Sequence, residues 1–164
     1  MKLLGMTLIF VACAASAGAQ PAANLDREKA ELLRLHKSAR EAHFKTDAEL
    51  LLENSPEEMI SVSRGRISRS GKAEGRKMFA EYFRGAKYYE WDDLEEPIIR
   101  VSKDATMAWM ITRIKVRRVQ RDAAGAEREE KFVYAGIMTY EKRDGRWVRV
   151  ANVSTFESPP SGGR

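Results

Sequence analysis

Residues Tyr88–Met110 read YYEWDDLEEPIIRVSKDATMAWM and give the strongest fold signal in the chain. Aromatic and β-branched residues are frequent on both sides of Lys103-Asp104, as is typical of strands. Lys103-Asp104 itself reads as a tight turn, because aspartate favours turn conformations. We therefore predict one strand over Tyr88–Val101 and an antiparallel partner that begins at Thr106.

The segments before this stretch predict helices and one further hairpin. A first helix is expected over about 26–44, capped by Asn24 or Asp26, with an apolar stripe at helical spacing formed by Leu32, Leu35, Ala39 and Ala42. A second short helix is expected to end near Leu52. The alternating, β-branched run Glu58–Ser63 predicts a strand.

A turn and a third helix follow this strand in the sequence. Arg64-Gly65 predicts a turn into residues 66–68. The third helix is expected over about 72–83, with Ser70 as its candidate cap and Gly85 as its stop. Its aromatic face predicts a packed helix.

The residues after this stretch predict strands only. Strand patterns cover residues 106–118, 130–142 and 146–156, and Asp144-Gly145 between the last two is a strong hairpin signal. Helices first and an antiparallel meander after them give an α+β class.

Five segments in this order resemble the nuclear transport factor 2-like superfamily. They are LHKSAREAHFKTDAELL, EEMISVS, AEGRKMFAEYF, DDLEEPII with AWM, and GRWVRVANVSTF. Among the members of that superfamily, the chain looks most similar to the SnoaL-like branch of small bacterial proteins. The resemblance implies a cone-shaped fold, in which the N-terminal helices pack on a curved, mostly antiparallel sheet. It also implies a ligand pocket inside the cone.

The first twenty residues, MKLLGMTLIFVACAASAGAQ, have the layout of a secretory signal peptide with cleavage after Ala19. The chain is then divided into a signal peptide at 1–19, a domain at 20–158 and a flexible tail at 159–164. We expect an exported protein, either periplasmic or secreted. A lipoprotein anchored through Cys13 is the alternative, although Phe10 fits poorly three positions before a lipidated cysteine.

Composition limits the cofactors and partners that we expect. The formal net charge is +5, and the charges are mixed along the chain, so we expect no nucleic-acid partner and no membrane contact after cleavage. Cys13 is the only cysteine and lies in the signal peptide. His36 and His43, the only histidines, lie two helical turns or about 10.5 Å apart, too far to share one ion. We therefore expect neither a metal nor another cofactor.

The pocket is predicted from the faces of the helices and strands. His43 lies on the inward side of the first helix, and Tyr82 extends the apolar face of the third. Alternation along the last strand places Asn152 with Val148 and Val150 and puts Arg149 on the opposite, wetter face. Strand alternation also adds Met110 and Tyr134 to the lining. The predicted ligand-binding residues are His43, Tyr82, Met110, Tyr134 and Asn152.

An acidic run follows Trp91 and could carry chemistry. Alternation places Asp92 and Glu96 on one face and Asp93 and Glu95 on the other. The density of charge and the neighbouring Pro97 favour an exposed rim. A buried carboxylate in an apolar pocket would instead have a raised pKa and could act as an acid or base, as the resemblance implies for isomerases and cyclases.

Three functions follow from these patterns. The first is an exported domain that binds a small apolar molecule, whose identity the sequence does not give. The second is a cofactor-free isomerase, cyclase or hydratase that uses a pocket carboxylate or histidine. The third is a dimeric interaction module whose pocket is filled by its own side chains. A homodimer is also expected, because both faces of the strand around Trp109 and Ile111 are apolar.

Overall fold

The computed structural model describes residues 24–157 of the chain. The predicted signal peptide, its cleavage site and the predicted tail lie outside the described residues. The elements follow one another in this order: α1 (Leu25–Lys45), α2 (Ala48–Leu52), β1 (Glu58–Ser63), β2 (Arg66–Gly71), α3 (Lys72–Phe83), β3 (Ala86–Asp93), β4 (Ile98–Val101), β5 (Met107–Arg121), β6 (Glu127–Arg143) and β7 (Arg146–Phe156).

All seven strands form one sheet, with the order β2-β1-β7-β6-β5-β3 and with β4 also paired to β5. The β1–β7 pair is parallel and the other pairs are antiparallel. The sheet is curved and unclosed, and α1 packs across β3 and β4 while α3 packs against β2 and β3. This is the predicted α+β cone of helices on a mostly antiparallel sheet.

Side-chain caps fix the starts of the first two helices. Asn24 Oδ1 accepts a hydrogen bond from the Arg27 amide at 3.1 Å, which confirms Asn24 as a cap, and Asp47 Oδ1 accepts from the Leu50 amide at 3.0 Å. The predicted cap at Ser70 is wrong, because α3 follows Gly71 without a side-chain cap and Ser70 belongs to β2.

The single strand predicted over Tyr88–Val101 is two strands in the structure. Both β3 and β4 pair with the same edge of β5, opposite Ile114–Gln120 and Ala108–Ile111 respectively. The interruption falls at residues 94–97, where Pro97 has no amide hydrogen to donate to a ladder. The acidic side chains of this interruption are exposed, as the rim interpretation predicted.

Two apolar clusters hold the helices on the concave side of the sheet. One joins α1, α2 and α3 to β3 and β5 through residues including Ala42, Phe83, Trp91 and Ile114. The other joins the N-terminal half of α1 to β5, β6 and β7 and includes Leu32, Met110, Tyr140 and Trp147. The Trp147 indole nitrogen donates to Glu28 Oε2 at 2.8 Å, which fixes the start of α1 over the start of β7.

Two β-bulges interrupt the alternation of side chains along the sheet. In β3, Tyr89 is the extra residue, because Tyr88 is opposite Arg118 and Glu90 is opposite Arg117. In β7, Val150 is the extra residue, because Ala151 is opposite Thr139 and Arg149 is opposite Tyr140. A bulge bends its strand and increases the local twist. These two positions therefore contribute to the curvature of the sheet.

Candidate functional site

A cavity of about 1020 Å³ lies between the helices and the concave face of the sheet. The helices contribute Leu35, His36, Ala39, His43, Phe79 and Tyr82 to its wall. The sheet contributes Phe132, Tyr134, Met138, Tyr140, Arg149 and Asn152. The exposed side chains of Arg64, Arg69, Glu74 and Met78 also line it, so the cavity opens to solvent at their position.

His43 lies on the cavity side of α1 within a group of aromatic rings. Its imidazole stacks on Trp91, with the ring centroids 4.7 Å apart, and meets Tyr82, Phe83 and Tyr88 edge to face. Its Nδ1 donates to the Ala39 carbonyl at 2.7 Å, so Nε2 is an acceptor when the ring is neutral. Burial is the main cause that lowers the pKa of His43 to about 4, and His43 is therefore neutral at pH 7.

The buried imidazole of His36 pairs with the partly exposed carboxylate of Asp93. The His36 Nε2 atom lies 2.9 and 3.0 Å from the two carboxylate oxygens of Asp93, and the imidazole is 4% exposed. Within residues 24–157, no hydrogen bond reaches the Nδ1 atom of His36. In the neutral form of the ring, a carboxylate that accepts from Nε2 leaves Nδ1 as the unprotonated nitrogen, an arrangement that a general base can use.

The bulge in β3 puts Tyr88 on the same face as Trp91 and Asp93. Without the extra residue Tyr89, strand alternation would put Tyr88 and Trp91 on opposite faces. The bulge brings both onto the concave face, and Asp93 follows two residues later on that side. The predicted pairing of Asp93 with Glu95 on one face is wrong, because β3 ends at Asp93. Asp92 points away and pairs with Arg40 at 2.7 Å.

The bulge in β7 overturns a second prediction. Arg149 was expected on the face opposite Asn152, yet both residues line the cavity. Arg149 is opposite Tyr140, Asn152 is opposite Met138, and both of these partners lie on the concave face. Because Val150 is an extra residue, the side chains of Arg149 and Asn152 lie on the same face although the two residues are three positions apart. A charged residue in the apolar run from Trp147 to Val153 was the only signal, and the sequence gives no sign of the bulge.

Arg118 is a second cation in the wall and, unlike Arg149, is fully engaged. Its guanidinium donates to Tyr88 Oη at 2.9 Å and pairs with Glu130 at 2.7 Å. It also lies over the Tyr82 ring, 4.8 Å from the centroid. Ion pairs with Glu129 and Glu127 join the neighbouring Arg117 and Arg121 to the opposite strand.

The predicted lining residues divide into two groups. His43, Tyr82, Tyr134 and Asn152 all lie on the cavity wall. Met110 does not, because its side chain is fully buried in the second apolar cluster. Its partner in the ladder, Met138, lines the cavity on the neighbouring strand instead. Strand alternation gave the correct face for Met110 but not its depth beneath α1.

Two phenols of the cavity wall, those of Tyr134 and Tyr140, are neutral at physiological pH. Burial raises the pKa of Tyr134 and of Tyr140 above the usual value. Tyr140 lies opposite Arg149, and its hydroxyl donates only a long contact of 3.7 Å to Met138 Sδ. The wall therefore combines apolar rings with a few polar groups that can donate hydrogen bonds.

Residues 24–157 hold no cluster of three or more histidine, cysteine, aspartate or glutamate side chains that could bind a metal ion. Within the same residues, no helix is long and apolar enough to cross a membrane. The His36–Asp93 pair thus stands without a third metal-binding side chain in the described part of the chain.

No family model and no curated protein sequence matches the chain. Solved structures do match its fold. A ketosteroid isomerase-like protein from Erwinia carotovora atroseptica has a TM-score of 0.60 and 15% identity, over 82% of this chain and 99% of that one. An NTF2-like protein with a cystatin-like fold from Novosphingobium aromaticivorans has a TM-score of 0.61 and 17% identity, over 85% and 86%.

An association domain also shares the architecture. The association domain of CaMKII from C. elegans has a TM-score of 0.54 and 16% identity, over 79% of this chain and 96% of that one. At these identities, the similarity concerns the fold and not the chemistry. Helices packed on a curved, unclosed sheet, with neighbours of this kind, identify the chain as a pocket-containing domain of the nuclear transport factor 2-like fold.

Proposed function

We propose that this chain is an exported domain that binds a small, mainly apolar molecule in the cavity between α1, α3 and the sheet. The observation that carries the proposal is the cavity itself, about 1020 Å³ and open at one end. Pockets for small molecules typically measure about 300–1,000 Å³ and have apolar walls with a few placed polar groups. The wall described above has this composition.

The size of the cavity also argues against a pocket filled by its own side chains. Such a filled pocket was the third function predicted from the sequence. The aromatic rings around His43 pack at one side of the cavity and leave its volume free. Interiors of folded proteins are otherwise close-packed, so an open cavity of this size needs an occupant or a functional reason.

The direct test is binding of N-phenyl-1-naphthylamine, a neutral apolar fluorophore. We expect saturable binding to the wild-type chain and loss of binding in Asn152→Phe, whose ring would fill the cavity. Thr155→Phe is the matched control, because Thr155 lies on the same strand with its backbone opposite Ala135 and outside the cavity wall. Absence of saturable binding, or equal binding by Asn152→Phe, would contradict the proposal.

The natural occupant can be sought at the same time. Native mass spectrometry of the chain, recovered from the cells that make it, would detect a co-purified molecule as an added mass. N-terminal sequencing of the same sample tests export, for which the proposal expects a first residue of Gln20. A chain that keeps residues 1–19, or carries a lipid on Cys13, would contradict this part of the proposal.

A second candidate function is acid–base catalysis without a cofactor, and the His36–Asp93 pair favours it. The pair combines a buried imidazole, a carboxylate that orients it and a wall position on a cavity of substrate size. If this is an isomerase, cyclase or hydratase, His36 is the base. Asp93→Asn should then reduce turnover of a bound substrate and shift its pH profile, while N-phenyl-1-naphthylamine still binds.

We also propose that two copies associate through the convex face of the sheet. Met107, Trp109 and Ile111 alternate along β5 on that face with exposures of 53%, 36% and 37%, and ladder pairing places Ile98 and Val153 in the same band. A contiguous apolar surface of this kind marks an interface. Light scattering should give twice the monomer mass, and Trp109→Glu should give the monomer. A monomeric wild-type chain at micromolar concentration would contradict the dimer.

A further inference from the structure

The guanidinium of Arg149 is held in the cavity wall without a counter-charge. Its Nε atom is buried and has no hydrogen-bond partner, and among residues 24–157 Arg149 takes part in no ion pair. The backbone amide of Arg149 donates to the Asn54 carbonyl at 2.9 Å, so the strand itself is fixed at this position. An arginine that is partly buried and unpaired is costly, because its lost hydration is not replaced.

The acidic side chains around the cavity are engaged elsewhere or lie at its rim. Glu130 pairs with Arg118, and Asp93 pairs with His36. Glu157 lies 4.0 Å from Arg113, and Glu74 is exposed at the opening. No acid on the cavity wall therefore neutralises Arg149.

A second polar atom near Arg149 also lacks its hydrogen bond. Ser55 follows Asn54, whose carbonyl accepts from the Arg149 amide, and the buried Ser55 hydroxyl oxygen has no partner. Both residues line the cavity. Among the described residues, these are the two buried side-chain atoms left without a hydrogen bond. Two buried polar atoms of the wall thus remain available to the polar group of a ligand.

The charge of Arg149 acts on three further side chains of the wall. Besides burial, the positive charge of Arg149 contributes to the lowered pKa of His43. It also opposes, at Tyr134 and at Tyr140, the larger effect of burial on the pKa of each phenol. Arg149 is thus electrostatically coupled to groups on α1 and on β6 that line the same cavity.

We propose that the ligand is an apolar molecule that carries one carboxylate, and that Arg149 binds this carboxylate. This rests on the proposed function, since it assigns one group of the molecule that the cavity binds. The planar guanidinium presents paired N–H groups whose geometry matches a carboxylate, and it is a better partner for one than an ammonium. The Ser55 hydroxyl is a neighbouring donor, and the aromatic wall takes the apolar part.

The test compares two fluorophores with the same ring system. 8-Anilinonaphthalene-1-sulfonate carries one anionic group, and N-phenyl-1-naphthylamine carries none. We expect the wild-type chain to bind the anionic probe at least about tenfold more tightly than the neutral one. Arg149→Met and Arg149→Gln should lower the affinity for the anionic probe by about 10- to 100-fold. The affinity for the neutral probe should stay within about twofold of the wild-type value. Arg146→Gln is the control, because Arg146 is exposed on the same strand.

Two further readouts separate a binding role from a structural one. 1-Naphthaleneacetate should displace the anionic probe from the wild-type chain, and the matched 1-naphthaleneacetamide should do so at least about tenfold less well. The Tm of the unliganded Arg149→Met variant should equal or exceed that of the wild type, because the substitution removes an unpaired, partly buried charge. A lower Tm would mean that Arg149 supports the fold through contacts, and would overturn the proposal.

The remaining outcomes are distinguishable. If both probes bind and Arg149→Met keeps the preference for the anion, or if acid and amide compete equally, the carboxylate assignment is overturned and the proposed function stands. If neither probe binds the wild-type chain, the proposed function fails, and the assignment of Arg149 fails with it.

Discussion

The strands β5 and β7 differ in how their side chains alternate between the two faces of the sheet. Along the first ten residues of β5, buried and exposed side chains alternate without a break, from Met107 to Val116. Along β7, Arg149 and Asn152 are three residues apart and still line the same cavity. The difference is the extra residue Val150, which β5 lacks.

This comparison separates the part of the sheet that makes the core from the part that makes the site. A regular strand supplies side chains at fixed intervals, and those of β5 close under the helices as packed core. A bulged strand can bring two neighbouring polar groups onto one face, and bulges recur next to functional sites. In this chain, the bulges of β3 and β7 bring Tyr88 and Arg149 onto the concave side.

The largest effect is expected from removing core volume on the regular strand. Met110 is fully buried, so Met110→Ala should lower the free energy of unfolding by about 2–5 kcal/mol. Urea denaturation at pH 7 measures this change in the free energy of unfolding. Met78→Ala, at the exposed rim of the cavity, should stay within about 0.5 kcal/mol. Equal effects of the two substitutions would show that β5 does not carry the core.

The next effect is a pH dependence that comes from His43. Its pKa is about 4 in the folded chain and about 6.5 in an unfolded one, so the unfolded state binds the extra proton between these values. Stability should therefore fall as the pH is lowered through this window, by about 2 kcal/mol between pH 7 and pH 5. His43→Phe keeps a ring without a titrating group and should lose most of this slope in urea denaturation. The same slope in both proteins would contradict a neutral, buried His43.

The smallest effect is expected at the neutral polar group of the bulged strand. Asn152 offers one amide to a ligand, so Asn152→Ala should weaken the binding of N-phenyl-1-naphthylamine by no more than about tenfold. The Tm should stay within a few degrees of the wild-type value. His43→Ala should differ from Asn152→Ala, because His43 is part of a packed aromatic group and its removal would also lower stability. A large loss of Tm in Asn152→Ala would contradict a pocket role.

Much of the fold follows from the sequence for physical reasons. The predicted bounds of α1, β1, α3 and β7 match the observed ones within two residues. Three of them have strong local signals, namely the cap at Asn24 for α1, the β-branched run from Glu58 for β1 and the Asp144-Gly145 turn for β7. The break between β3 and β4 had a signal in Pro97, which the continuous strand prediction overrode.

The site was less accessible to sequence reasoning. Alternation is a local rule, and one extra residue reverses it for everything beyond that residue. Neither Tyr89 nor Val150 differs from an ordinary strand residue, because a bulge arises from pairing with the neighbouring strand. The partnership of His36 with Asp93 joins residues 57 positions apart, and no spacing rule predicts it.

The most direct test of the account uses single cysteines in a Cys13→Ser background, which the sequence makes otherwise free of cysteine. Cysteines at Arg149, Val150, Asn152 and Thr155 would be alkylated with iodoacetamide, with and without saturating N-phenyl-1-naphthylamine. The account predicts that the fluorophore protects Arg149→Cys and Asn152→Cys but neither Val150→Cys nor Thr155→Cys. Protection of only one of Arg149→Cys and Asn152→Cys, or protection of Val150→Cys, would contradict the bulged strand as the wall of a binding cavity.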